Sequence, residues 1–81
     1  MTKNEATIAQ INDSLKRAGN ESYVEIEDGY INIVDYYGDR HGVSGSLFKT
    51  MMQFFGYKTT KELLEADTNI RDAIVLSRKV L

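Results

Sequence analysis

The chain has no cysteine, no proline and no tryptophan, and a single histidine, His41. Without cysteine there is neither a disulfide framework nor a thiolate metal site. One histidine excludes His-rich zinc sites as well. No apolar run approaches the roughly 18 residues that a membrane-crossing helix needs. The opening Met1-Thr2-Lys3-Asn4-Glu5 lacks the apolar core of a secretory signal. Basic charge is scarce: 10 lysines and arginines against 12 acids leave a net charge of −2, which disfavours general nucleic-acid affinity. What is present is ordinary for a folded protein. At 81 residues, 42% hydrophobic and 27% charged, the chain reads as one domain, residues 1–81, too apolar for intrinsic disorder. The expectation is a small cytoplasmic α+β domain with no cofactor and no metal.

With proline absent, glycine supplies the punctuation. Residues from Asn4 to Ala18 read as a first helix, because Ile8, Ile11, Leu15 and Ala18 recur at three- and four-residue steps. Thr2 or Asn4 caps its start and Gly19 closes it. Asp28-Gly29 between two β-rich runs is the signature of a type I′ hairpin turn. That turn pairs Glu27 with Tyr30, sets Ile26 against Ile31 and Val24 against Ile33, and puts these four aliphatics on the core face. The opposite face then carries Glu21, Tyr23, Glu25 and Glu27, matched by Tyr36, Val34, Asn32 and Tyr30.

Tyr37 to Gly45 is a glycine-punctuated loop with room for a short third strand around Arg40 to Val43. Ser44 or Ser46 caps a second helix ending near Phe55, with Gly56 as terminator. This helix is apolar nearly all round and is expected to lie centrally, between the hairpin and the other helices. Thr59-Thr60-Lys61-Glu62 matches a capping box and opens a short third helix with Leu63 and Leu64 inward. Asp67-Thr68-Asn69 reads as a break before a last helix that buries Ile70, Ala73, Ile74, Ser77 and Leu81. A seven-residue period through Leu63, Ile70 and Ser77 leaves a continuous third and fourth helix as the alternative. The predicted order is α-β-β-α-α-α, an antiparallel hairpin packed against helices.

Charge is unevenly spread. Residues 1–40 hold eight acids against four bases, whereas residues 41–81 hold four acids against six bases. Residues 21–39 contain six acids and no base. On the derived register, Glu21, Tyr23, Glu25, Glu27, Tyr30 and Tyr36 share the non-core face. Tyrosines contribute large contact area while carboxylates steer a cationic partner, so these six residues are the candidate partner-binding site. The expected partner is a protein with a basic surface, for example part of a nucleic-acid-binding complex, met by this chain as a monomer or homodimer. A non-enzymatic inhibitor or adaptor fits this description, such as a phage-encoded anti-defence or anti-CRISPR protein. That form is suggested by the type of protein, since no motif in the chain specifies it.

Three other readings compete. Residues 46–67 have the outline of a helix-turn-helix, with Lys58 and Lys61 toward phosphates, but Glu62, Glu65 and Asp67 would repel DNA. The loop Asp35-Tyr36-Tyr37-Gly38-Asp39-Arg40-His41 holds two carboxylates and an imidazole, but no nucleophile is placed beside them by spacing. Gly42-Val43-Ser44-Gly45-Ser46 lacks the lysine of a phosphate loop at the required position. Phe48, Met52 and Phe55, spaced four and three apart, read as core before they read as an exposed groove.

Overall fold

Asp28 and Gly29 have φ of 52° and 80°. Left-handed backbone at both positions gives the turn whose twist matches that of the strands it joins. The strands β1 (Tyr23–Glu27) and β2 (Tyr30–Val34) pair in the expected register, Glu27 with Tyr30, Ile26 with Ile31 and Val24 with Ile33. A third strand, β3 (Arg40–Gly42), adds to the far side of β2, so the sheet is antiparallel in the order β1-β2-β3. This computed structural model describes residues 1–81. Helix α1 (Lys3–Arg17) precedes the sheet, and α2 (Leu47–Phe54), α3 (Thr60–Leu64) and α4 (Thr68–Leu76) follow it, α4 ending in a 3-10 turn over Ser77–Lys79. The fold is therefore mixed α+β in the order read from the chain.

Each helix begins where a short polar side chain can take up a free backbone N–H. Thr2 and Glu5 form a reciprocal capping box on α1. Ser46, rather than Ser44, accepts from Lys49 N–H at the start of α2. Thr59 accepts from Glu62 N–H, but the Glu62 carboxylate bonds Lys58 N–H, one residue before the cap. Asp67 accepts from Asn69 and Ile70 N–H and opens α4. That cap decides between the two readings of this segment: α3 and α4 are separate helices, because the Asp67 backbone leaves the helical region at the junction, with ψ 137°.

The core gathers Ile8, Ile11 and Leu15 of α1, Val24 and Ile33 of the sheet, Leu47 and Met51 of α2, Leu63, and Ile70, Ala73 and Ile74 of α4. The central element is α1, which packs on β1 and on α4. Helix α2 is not the central element, although its Phe54 ring meets His41 of β3 edge to face at 5.6 Å. It flanks α4 and the 3-10 turn, and buries only Leu47 and Met51 fully. Three inward assignments fail: Leu64 is 62% exposed, Leu81 is 95% exposed and Ile26 is 40% exposed. Five residues make little more than one helical turn, so α3 turns a single leucine inward. Ile26 sits next to the turn, at the end of the sheet.

A side chain of α1 completes the sheet at one edge. The two-residue turn leaves the peptide groups of Val24 pointing away from β2. Asn12 meets both: its Nδ2 donates to Val24 O and its Oδ1 accepts from Val24 N–H, each at 2.8 Å. The carboxamide thus occupies the place of a neighbouring strand and fixes α1 against β1. Replacing Asn12 with Ala would leave a buried donor and acceptor without partners, at about 1–3 kcal/mol for each unsatisfied group. We expect Asn12→Ala to lower the urea midpoint by an amount equivalent to about 2–4 kcal/mol with an unchanged denaturant slope; a loss below 1 kcal/mol would contradict this role.

Candidate protein-binding face

No helix covers the outer face of the sheet. Tyr23 on β1 is 43% exposed and Tyr30, beside the turn, is 75% exposed. Glu25 and Glu27 stand on the same face of β1, as the alternation requires. Two of the six candidates lie elsewhere. The pairing ends at Tyr23 and Val34, so Glu21 and Tyr36 are not cross-strand partners. Glu21 is exposed ahead of β1, and Tyr36 projects from the turn after β2, 68% exposed. Tyr30 and Tyr36 therefore mark opposite ends of the sheet, about 20 Å apart by strand rise.

The structure adds a base that the charge count over residues 21–39 left out. Arg40 stands opposite Val34 on β3, and its Nε reaches across β2 to Glu25 Oε2 at 2.7 Å and Glu27 Oε2 at 3.3 Å. Asn32 Nδ2 donates to the same Glu25 oxygen at 3.2 Å. With its head group on β1 and its backbone on β3, the arginine stem must pass over the outer face of β2. Val34 is the outward residue beneath that path, and it is buried although it lies outside the core cluster. Arg40 thereby ties the two outer strands together and neutralises the centre of the acidic face. Its guanidinium holds Glu25 below the usual carboxylate range, and Glu25 in turn raises Arg40. Of the six acids in residues 21–39, Glu21, Asp28 and Asp39 have no ion-pair partner.

The turn after β2 is braced by one carboxylate. Asp35 Oδ1 accepts from Tyr37 N–H at 2.9 Å and Asp39 N–H at 3.0 Å, while His41 Nε2 donates to Oδ2 at 2.7 Å. Gly38 completes the turn at φ 83°. These bonds hold Tyr36 and Tyr37 with their rings edge to face at 5.1 Å, and Tyr37 is 83% exposed. Tyr37 and Arg40 were both missed as site residues. Their neighbours in the chain gave the only hint, since DYYGD is an acid-flanked turn and a third strand had been allowed at Arg40.

Bonding within the loop occupies Asp35 and His41 with structure, and no three His, Asp or Glu side chains come close enough to hold a metal ion. The five-residue α3 is about 7.5 Å long and leaves Glu62 and Glu65 exposed, a poor shape and charge for a recognition helix. Comparison with known protein families, curated proteins and solved structures found no match to this chain. Function must accordingly be read from its own geometry.

The acid pairs set a pH dependence. The hydrogen bond from His41, foremost, holds Asp35 below its ordinary value of 3.8, as Arg40 holds Glu25 below 4.5. A carboxylate depressed on folding contributes stability that is complete above its ordinary pKa and is lost as pH falls through the lower, folded value. Asp35→Asn and Glu25→Gln are therefore expected to lower the urea midpoint at neutral pH. Their deficit relative to wild type should shrink once the pH passes below 3.8 and 4.5 respectively. A deficit that stays constant down to acid unfolding would contradict the assignment.

Proposed function

We propose that this chain is a non-enzymatic protein-binding domain that docks the outer face of its sheet on a basic surface of a larger macromolecular complex, as an inhibitor or adaptor. One observation carries the reading: four tyrosines, Tyr23, Tyr30, Tyr36 and Tyr37, stand exposed on or beside a sheet face that no helix covers. Exposed phenol rings cost little side-chain entropy on binding, and they are among the residues that dominate interface energetics. The carboxylates Glu21, Asp28 and Asp39, in the segments that flank β1 and β2, form no ion pair and would steer a cationic partner. Complexes that handle nucleic acid offer basic surfaces of this kind. A phage-encoded anti-defence protein, such as an anti-CRISPR protein, is one concrete form of the proposal. Continuous mimicry of a phosphate row is the weaker version, because Arg40 interrupts the carboxylates at the centre of the face.

The test should spare Glu25, which is tied to Arg40 and Asn32 and whose reversal would disturb the sheet. Tyr30→Ala, Tyr36→Ala and Glu21→Lys change exposed side chains and should leave the urea midpoint unaltered. Affinity capture from a bacterial lysate would supply the partner, and titration of the purified partner would supply the affinities. The triple variant is expected to bind at least about 30-fold more weakly than wild type, the equivalent of one interface hot spot. A retained partner whose affinity is indifferent to all three changes would reject the sheet face as the docking surface.

A further inference from the structure

On the opposite side of the charge balance lies a groove along α2. Its floor is Phe48, Met52 and Tyr57, and Lys49 and Lys58 stand on its rim. The groove exists because α2 flanks the core. Leu47 and Met51 point inward, so Phe48 and Met52, one position further round the helix, are left half-covered. Tyr57 is brought beside them by the helix end. Gly56, at φ 80°, donates to Gln53 O, and Tyr57 N–H returns to Met52 O at 2.8 Å. A Cβ at Gly56 would meet no atom within 4 Å, which leaves the groove open at this point.

The charged side chains lining the groove, Lys49 and Lys58, are both basic, and one carboxylate, Glu62, stands close to Lys58. Arg78 places its guanidinium 4.2 Å from the centre of the Phe48 ring. Lys49, Lys58 and Arg78 make no ion pair, and no carboxylate lines the groove. The nearby Glu62 carboxylate is engaged by the backbone N–H of Lys58. Two lysines on the rim and Arg78 over the Phe48 ring thus outnumber the one adjacent carboxylate, on a chain whose net charge is −2. Lys49 comes from the first turn of α2 and Lys58 from beyond its last, so positive charge flanks the apolar centre at both ends.

We infer that this groove docks an acidic amphipathic peptide segment of a protein partner. Carboxylates on the segment match the lysines and Arg78, and an apolar side chain fills the floor, where the flexible Met52 can adapt to its shape. An open trough suits a segment laid across it, as in helix-in-groove recognition, better than a small molecule that must be largely enclosed. The site is separate from the sheet face and does not depend on it. If both are occupied, the chain bridges a basic partner and an acidic one.

The probe is a synthetic amphipathic peptide of about twelve residues, with leucines at helical spacing and flanking glutamates, set beside its lysine counterpart. Titrations followed by NMR should show the glutamate peptide moving the signals of Phe48, Met52 and Tyr57, and the lysine peptide leaving them in place. Lys49→Glu with Lys58→Glu should weaken binding at least about tenfold, while Tyr30→Ala with Tyr36→Ala should not alter it. Should the charge reversal impair folding, Lys49→Gln with Lys58→Gln removes the charges without inverting them and gives the same readout. Silent groove signals, equal binding of the two peptides, or unchanged affinity in the lysine variants would overturn the inference. So would dodecanoate moving these signals where the glutamate peptide does not, since the occupant would then be a small anionic amphiphile.

Discussion

Left-handed backbone at Asp28 and Gly29 leaves the hairpin one register, and the rest of the sheet is built outward from it. Because side chains alternate with a period of two, that register sends Val24 and Ile33 to the core and Tyr23, Glu25, Glu27 and Tyr30 to the outside. The same constraint aims the Val24 peptide groups at Asn12 and places Arg40 above Val34. A slip of one residue would expose the aliphatics and separate Arg40 from its carboxylates together.

A domain of this size has little core to spare, and polar side chains carry part of the job of fixing its elements. Asn12 holds α1 to the sheet, and Asn4 bonds the main-chain N–H and the terminal oxygen of Leu81 in the same two-handed manner. Asp35 organises the turn after β2, and Arg40 crosses the sheet. No buried side-chain polar atom is left without a partner. The outer face can consequently present aromatic rings on a backbone that is already ordered, which lowers the entropy lost when a partner binds.

The surface chemistry divides by sign. On the sheet side, tyrosines alternate with carboxylates, half of which are engaged within the molecule. Along α2, Lys49 and Lys58 border aromatic and thioether groups, with Arg78 over the Phe48 ring and the Glu62 carboxylate close to Lys58. The second surface arises from the same packing that makes α1 central, since displacing α2 to the flank uncovers one of its apolar sides. Both proposed docking surfaces are thus consequences of where the helices settle around one small sheet.

Features governed by neighbours in the chain were legible in the amino-acid order. The Asp28-Gly29 turn and its register, the cap at Thr59, the segments in which the other helices start (Thr2 or Asn4, Ser44 or Ser46, and 67–69), and the outward direction of Tyr23, Glu25, Glu27 and Tyr30 each depend on residues a few positions apart. Placement across long separations was not. The flanking position of α2, the exposure of Leu64 and Leu81, the bonds from Asn12 to Val24, and the bridge from Arg40 to Glu25 depend on how distant elements share a limited core. The periodicity of a helix states which side is apolar but not which neighbour will cover it. For that reason the acidic run of residues 21–39 looked unopposed in one dimension, and only the third strand, laid beside the second, brought the cation that half-balances it.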